Sequence, residues 1–307
     1  MVRYLIRKAA HAVLVLGGVS IVVFLLLHLI PGDPASTLLS EHATPETVRA
    51  LRAQLGLDQP LPVQYLKYVL SCLRGDLGKS IRFGIPTLDL VLQHLPATIE
   101  LALAALVVTV LVAMPAALLS ALRRGSTFDY LMRLSALLGQ SIPGYWLGMI
   151  LILVFAVQLR LLPTSGRGTL AHLLMPGVTL AAYFVALLAR MTRSVLLEVL
   201  EEDYVRTARA KGLGQGWVVL RHALSNALIP VATLLGLQVG TVLGGAVITE
   251  AVFAWPGIGS LAIQAIFNRD YPLVQAIVLI SAVIFVAINY CLDAFYCLLD
   301  PRIRLVR

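Results

Sequence analysis

Residues 97–122, ATIELALAALVVTVLVAMPAALLSAL, contain a single charged residue, Glu100, and decide the fold class of the chain. A transmembrane helix needs about 20 mainly apolar residues to cross the hydrocarbon core of a bilayer. In lipid each backbone amide must bond within its own segment, so this stretch is predicted to be a helix. Five further segments have the same character. The six predicted spans are 9–30, 97–122, 134–160, 173–191, 228–252 and 273–298.

The composition of the 307-residue chain also indicates an all-α integral membrane protein. Hydrophobic residues make up 59% and charged residues 13% of the chain, whereas a typical soluble domain has roughly 45–50% apolar and about 25% charged residues. The net charge of +8 does not indicate nucleic-acid binding, because the cations lie in short clusters beside the apolar spans. Such clusters are typical of the flanks that orient helices in an anionic membrane.

The basic residues predict how the spans are oriented. Both termini and the loops 123–133 and 192–225 are rich in Lys and Arg, whereas the short loops on the other side carry only Arg160, Arg167 and Arg269. By the positive-inside rule, both termini and the two basic loops are predicted to be cytoplasmic, in a multi-pass protein of a bacterial inner membrane.

The long external loop after the first span is predicted to be folded. Helical patterns cover residues 44–56 and 61–73, the first with Pro45 at its opening position. We therefore expect two parts in the chain: residues 1–96, with the first span and the external loop, and residues 97–307, with the five remaining spans.

The predicted cytoplasmic segment 192–225 is too long and too regular for a simple connection. Residues 203–212, DYVRTARAKG, read as a short helix ended by Gly212, and Trp217 is an apolar residue on the water side of the membrane. Apolar and basic residues exposed on such a segment are typical of a docking surface for another protein. The alternative is a solvated hairpin that only links two spans.

No pattern in the chain predicts an enzyme. The ionisable residues near the spans are Glu100, Arg190, Glu250 and Asp293, and none has an acidic or histidine partner at helical spacing. The chain has no P-loop sequence and no Cys/His spacing typical of a metal site. We therefore expect no catalytic residue, no metal and no cofactor bound by this chain.

Two other classes of protein are weighed against a permease without catalysis. An ion-gradient secondary transporter would usually show inverted repeats and ionisable groups at the membrane midplane. A membrane-embedded enzyme would need a paired acid, base or metal constellation. Neither signature is found in the sequence.

Small and helix-breaking residues mark two further features. Gly236, Gly240 and Gly244 recur every four residues in the fifth span and predict close helix packing, either within the chain or across a subunit interface. The breakers Ile142-Pro143-Gly144 and Trp255-Pro256-Gly257 predict hinges or re-entrant turns, and Trp255 suits the interfacial aromatic belt.

Short motifs at the predicted boundaries make the chain, almost end to end, resemble the B-type permeases of the oligopeptide, dipeptide and nickel ABC importers. The motifs are Pro31-Gly32-Asp33-Pro34, Leu55-Gly56-Leu57-Asp58-Gln59-Pro60, Gly75-Asp76-Leu77-Gly78, residues 203–212, His222-Ala223-Leu224, Asn226-Ala227-Leu228-Ile229-Pro230, Trp255-Pro256-Gly257-Ile258-Gly259, Arg269-Asp270-Tyr271-Pro272 and Leu299-Asp300-Pro301-Arg302.

This resemblance implies a type I importer permease whose segment 192–225 docks on an ATPase subunit through a short coupling helix. The residues implied in docking are Asp203, Tyr204, Arg206, Thr207, Ala208, Arg209, Lys211 and Gly212. Ala208 and Gly212 match the family's Ala and Gly positions, whereas Arg206 stands where many ABC permeases have Glu. That difference puts the polar contact to the ATPase in question.

The resemblance also implies the partners. They are a second, C-type permease, two ATPase subunits that bind ATP and Mg²⁺, a periplasmic or lipid-anchored substrate-binding protein, and membrane lipid. The translocation path would lie between the two permeases. Peptides are the expected substrates, and glutathione and nickel or other metal chelates remain alternatives because specificity resides mainly in the binding protein.

Overall fold

A computed structural model describes residues 2–29, 58–212 and 214–299. Within these ranges the chain is helical apart from its connections, and one isolated β-bridge joins Lys79 to Pro86. The predicted all-α class is confirmed. The predicted helix at 44–56, the motif at residues 31–34 and residues 300–302 of the last motif lie outside the described residues.

Ten helices are labelled in chain order across the described residues. They are α1 (Val2–Leu29), α2 (Leu61–Leu73), α3 (Thr87–Leu122), α4 (Thr127–Ser141), α5 (Gly144–Leu151), α6 (Leu170–Leu200), α7 (Asp203–Ala210), α8 (Leu224–Val252), α9 (Ile258–Phe267) and α10 (Tyr271–Leu299). Two π-helical segments are π1 (Ile152–Gln158), which continues α5, and π2 (Val218–Ala223), which runs into α8. The single turn Gln215–Trp217 precedes π2.

The number of spans agrees with the sequence prediction. Among the described residues, α1, α3, α6 and α10 are each long and apolar enough to cross a membrane. Two bent pairs bring the total to 6 if each pair is one span: α4 with α5 and π1, and the two halves of α8. The prediction of about six transmembrane segments is confirmed.

The predicted third span, 134–160, is not one continuous helix, because it breaks at the predicted hinge Ile142-Pro143-Gly144. Two helical pieces meet there at an angle of 104°, the first beginning at Thr127 and the second ending at Gln158. Proline has no backbone N–H and disfavours helical geometry in the preceding residue. Ile142, directly before Pro143, accordingly has an extended backbone, with φ −79° and ψ 124°.

The described residues within 1–96 and 258–287 form one compact unit. Within it α2 packs on α1: the Ser20 and Tyr65 hydroxyl oxygens are 2.8 Å apart, and the Phe24 ring centroid lies 5.4 Å from that of Tyr65. The predicted helix at 61–73 is confirmed. The first turns of α3 belong to the same unit, since Leu90 and Val91 pack among apolar residues of α9 and α10.

That packing explains two departures from the predicted boundaries. The helix α3 begins at Thr87, ten residues before the predicted start at 97, because its first turns are buried against other helices of the unit. The short helix α9 was not predicted. Leu261 and Ala265 on α9 are buried in the same cluster, so its apolar run is satisfied by protein.

The described residues within 97–257 and 288–307 form the second unit. The helix α6 is its centre and packs against α4, α5 and α8. One buried cluster joins three helices of this unit. It contains Ala97 and Leu101 of α3, Leu180 and Phe184 of α6, and Val242 of α8. The two units describe packing, whereas the predicted functional division into residues 1–96 and 97–307 stays a prediction.

Candidate functional site

The helix α7 follows α6 after a two-residue turn and coincides with the predicted coupling helix. Asp203 occupies its first turn and Arg209 its last, so each charge opposes the nearby end of the helix dipole. Gly212 follows the helix with φ +80°, a left-handed backbone that ordinary residues rarely adopt. The sequence thus sets both ends of α7.

One face of α7 is fixed to the rest of the protein. Val205 and Ala208 are three residues apart, so they share a helix face, and both are buried. They pack with Val218 of π2 and with Leu200 at the end of α6. The Nδ2 of Asn226 donates a hydrogen bond of 2.8 Å to the Tyr204 hydroxyl, which joins α7 to the first turn of α8.

The other face of α7 is exposed and mainly basic. The side chains on this face belong to Asp203, Arg206, Thr207, Arg209 and Lys211. Arg206 lies 3.4 Å from Asp203, but both groups are solvated, so the ion pair contributes little stability. Trp217, close to α7 in sequence, exposes 59% of its surface. The segment is therefore a short lever with an anchored inner face and an open outer face.

The predicted docking residues divide between these two faces. Val205, which was not among them, is an anchor together with Ala208, and the sequence pattern V-x-x-A could have revealed this pair. Gly212 is required by its backbone angle alone, because a Cβ at this position would have no heavy atom within 4 Å. Val218, next to the exposed Trp217, is fully buried.

Two protein-family models match the chain. A family model described as a binding-protein-dependent transport system inner membrane component matches residues 113–305. The model for the N-terminal part of such membrane components matches residues 1–104.

The chain belongs to this family.

Relatives of this inner membrane component match it over nearly its whole length. The dipeptide transport system permease protein DppB of Alkalihalophilus pseudofirmus is 42% identical over 99% of this chain and 100% of its own. The glutathione transport system permease protein GsiC of Escherichia coli is 41% identical over 99% of this chain and 99% of its own. Among solved structures, the inward-facing MetNI methionine ABC transporter aligns with a TM-score of 0.58 at 21% identity, covering 69% of this chain and 97% of that one.

Family membership confirms the predicted class of protein. The chain is a permease subunit of an ATP-driven importer, a multi-pass membrane protein without its own catalytic site, and hydrolysis of ATP belongs to a separate subunit. The structural likeness shows the fold of type I ABC importer permeases. Neither the secondary transporter nor the membrane-embedded enzyme describes this chain. Among the described residues, no group of three His, Cys, Asp or Glu side chains could hold a metal ion.

The permease contains a buried polar lock that its sequence did not reveal. The Thr98 hydroxyl donates a hydrogen bond of 2.6 Å to the carboxylate of Glu250, which is fully buried. The Trp255 indole N–H donates to the carbonyl of Ala97 at 2.8 Å. A Cβ at Gly257 would overlap the Glu250 carboxylate. The motif Trp255-Pro256-Gly257 therefore closes over the end of α8.

Trp255 corrects one expectation. It was expected in the interfacial aromatic belt, but its side chain is completely buried. Its indole N–H bonds to the Ala97 carbonyl within the protein. The N–H of an interfacial tryptophan would instead bond to water or lipid headgroups. Glu100, singled out as an ionisable residue near a span, accepts a 2.7 Å hydrogen bond from the Nε of Arg167.

Two motifs of the permease meet in its first unit. The buried Asp270 accepts hydrogen bonds from the Ser80 hydroxyl at 2.5 Å and from the backbone N–H groups of Ile81 and Arg82 at 3.1 and 3.2 Å. The bonded segment directly follows the motif Gly75-Asp76-Leu77-Gly78. Because Ser80 and Asp270 are 190 positions apart in sequence, local pattern reasoning could not pair them.

The predicted glycine stripe lies on α8 with unequal exposure. Gly236 is buried, Gly240 is half-buried, and Gly244 is exposed, where an added Cβ would meet no heavy atom within 4 Å. Its neighbour Gly245 contacts α6, where a Cβ would lie 3.3 Å from the Leu180 Cδ1. The helix bends by 52° between Pro230–Val242 and Gly244–Val252. The role of the stripe at a subunit interface stays a prediction.

Proposed function

We propose that this permease forms half of a translocation path for short peptides, and that α7 docks on an ATPase subunit of the same importer. The other half of the path is a second permease of the C type, and a binding protein delivers the substrate on the outer face. Two ATPase subunits complete the assembly. The observation that carries the docking role is the division of α7 into a buried face and an exposed basic face.

Docking through α7 follows from mechanics as well as from charge. A lever transmits motion only if it is fixed to the part that must move. The inner face of α7 is fixed by Val205 and Ala208, so a push on its outer face reaches α6 and π2 rather than bending a loop. Arg206, Arg209 and Lys211 give the outer face a positive charge, which favours an acidic cleft on the ATPase.

Peptide transport is favoured over the other substrates by the names of the relatives. The two relatives described above are named for dipeptides and for glutathione, which is itself a short peptide. We propose a substrate class of peptides with a few residues. Transport of nickel or another metal chelate remains the alternative prediction.

The test is purification of the tagged permease from native membranes in mild detergent, followed by mass spectrometry of the bound proteins. We expect a second permease and P-loop ATPases. A binding protein recovered with the complex is then loaded with dipeptides, glutathione or a nickel chelate, and uptake is measured in proteoliposomes with ATP inside. A permease recovered alone that moves solute on an ion gradient would overturn the proposal, and uptake of nickel chelate but not peptides would overturn the substrate class.

A further inference from the structure

A buried ion pair joins α4 to α6 close to the end from which α7 emerges. The Arg193 guanidinium on α6 donates from Nε to the Asp129 Oδ1 at 2.6 Å and from Nη2 to Oδ2 at 2.8 Å. Asp129 exposes 1% of its side chain and Arg193 16%. Two parallel hydrogen bonds of this kind fix the relative orientation of two groups as well as their distance.

A third helix takes part in the same network. The Ser120 hydroxyl, near the end of α3, donates to the Asp129 Oδ1 at 2.5 Å and accepts from the Arg193 Nε at 3.0 Å. The backbone N–H of Gly125 donates to the other carboxylate oxygen at 3.0 Å. Both oxygens of Asp129 thus receive at least two donors, which holds the carboxylate rigidly between α3, α4 and α6.

The network lies a short way along α6 from the coupling helix. Arg193 is seven residues before Leu200, the last residue of α6, which is about 10 Å of helix. Leu200 packs against Val205 and Ala208 of α7. Between them, Leu196 is buried with Ala121 of α3 and Ala227 of α8. Leu200 also packs against this cluster, and Ala121 is the neighbour in sequence of Ser120, which belongs to the ion-pair network.

A second ion pair at the same end provides a contrast. Arg124 and Glu201 lie 2.9 Å apart, but their side chains are 65% and 68% exposed. Such solvated pairs hold their partners weakly. A buried pair is different: removing water from two charges is costly, and apolar residues of the same size are often as stabilising. What a buried bidentate pair adds over apolar packing is a defined geometry.

We propose that Asp129 and Arg193 are positioning residues that fix the end of α6 to α3 and α4, so that a displacement of α7 moves these helices as one body. This inference rests on the proposed docking of α7. Without the clamp, the ATPase would still bind and hydrolyse ATP, but part of the displacement of α7 would be lost as sliding of α6 against α4. The expected effect is on coupling rather than on docking.

The experiment measures substrate imported per ATP hydrolysed by the complete importer in proteoliposomes. Three variants weaken the clamp to different degrees: Arg193→Lys keeps the charge but loses the bidentate geometry, Asp129→Asn keeps the shape, and Arg193→Gln removes the charge. We expect the ratio to fall about two- to thirtyfold, least for Arg193→Lys. Arg124→Gln breaks the exposed pair and is the matched control, with an expected change below about twofold.

The double variant Asp129→Asn/Arg193→Gln adds a second criterion. Because the two residues act as one clamp, its ratio is expected to equal that of the worse single variant rather than the product of both effects. Retention of ATPase subunits is measured on every sample. If the unaltered permease retains no ATPase, the docking proposal has failed. If ATPase is retained and Arg193→Lys and Asp129→Asn both import with the unaltered ratio, the clamp proposal is overturned.

Assembly failure is also informative. Arg193→Lys is the mildest change, and its complex is compared with the unaltered one by gel filtration and by hydrogen exchange of residues 203–212. Loss of exchange protection in α7 together with loss of the complex would mean that the pair only supports folding, and the clamp proposal would be overturned. An intact complex with a reduced ratio supports it.

Discussion

The hydroxyl oxygen of Tyr204 on α7 accepts a hydrogen bond of 2.8 Å from the Nδ2 of Asn226 on α8. The bond links α7 to a motif on the next long helix, in addition to the apolar contacts of Val205 and Ala208. Tyr204→Phe removes the bond and leaves the ring in place. The expected loss is about 0.5–1.5 kcal/mol of local stability, at the low end because the site is exposed.

Hydrogen exchange over residues 203–212 would measure that loss as faster exchange in α7, with uptake reduced only slightly. Tyr130→Phe is the control, since Tyr130 is also exposed near a helix start. Equal exchange in all three proteins would mean that the bond does not restrain α7.

Overpacking the inner face of α7 is expected to loosen this helix from π2 and from the end of α6. Ala208→Leu inserts three heavy atoms between Val205 and Val218, and such insertions cost about 1–3 kcal/mol in a well-packed site. We expect the purified permease to retain less ATPase. Ala10→Leu makes the same change at an exposed position of α1, outside the proposed docking helix, and is expected to have little effect. Equal ATPase retention by both variants would argue against an anchored lever.

Substitutions of Gly212 are expected to be tolerated according to how readily the new residue adopts a left-handed backbone, and not according to its size. Its φ is +80°, and the space around it is open, with no heavy atom within 4 Å of where a Cβ would stand. A left-handed conformation costs most L-residues about 1–2 kcal/mol, and Asn less. Gly212→Ala and Gly212→Leu should therefore uncouple ATP hydrolysis from uptake to a similar degree, and Gly212→Asn less.

Gly214→Ala is the matched control for this series, because a Cβ there also meets no atom within 4 Å. A steady decline from Ala to Leu at position 212 would instead indicate a steric contact with a docked subunit. Normal coupling in all variants would count against the turn as part of the docking site.

Gly257→Ala is expected to disrupt the polar lock at the end of α8. The new methyl group would overlap the Glu250 carboxylate, which is also held by Thr98. The expected destabilisation is about 1–3 kcal/mol, seen as a lower Tm of the permease in detergent. Gly144→Ala, where a Cβ meets no atom within 4 Å, serves as control.

A second substitution tests the cause of that destabilisation. Glu250→Asp shortens the side chain and should recover part of the Tm lost in Gly257→Ala, although it lowers the Tm of the unaltered protein. An additive effect of the two substitutions would show that the carboxylate is not what limits position 257.

The glycine stripe of α8 makes a prediction about assembly. Gly244→Leu and Gly240→Leu should reduce recovery of the second permease if close helix packing crosses the subunit interface. Gly245→Leu instead meets Leu180 within the chain, so it should lower the Tm of the permease alone. Unchanged recovery of the partner with all three variants would make the stripe incidental to assembly.

The spans and the helix α7 were predictable as helices because their signals are local. An apolar run such as 97–122 identifies a membrane helix by length and composition alone. The helix α7 is bounded by residues within ten positions of each other, so its ends and Gly212 could be read from the sequence. The break at Pro143 was visible as well, since proline restrains the residue before it, but nothing in the sequence gives the angle of 104°.

The buried polar pairs could not be predicted, because each joins residues that are far apart in sequence. Thr98 and Glu250 are separated by 152 positions, and Asp129 and Arg193 by 64. Before folding, Asp129 reads as a loop acid and Arg193 as one more cytoplasmic cation. Trp255 shows the same difficulty, since its partner carbonyl is at Ala97 and only that contact distinguishes a buried indole from an interfacial one.

The Asp129–Arg193 pair also constrains how the permease is made. The ribosome adds roughly 5–20 residues per second, so the 64 positions between the two residues take on the order of 3–13 s. Throughout that interval the guanidinium nearest to Asp129 is that of Arg133 on the same helix, whose Nε lies 3.8 Å from Oδ1. Arg133 cannot tie α4 to another helix. The contact that fixes α4 against α6 therefore forms only after α6 has been made.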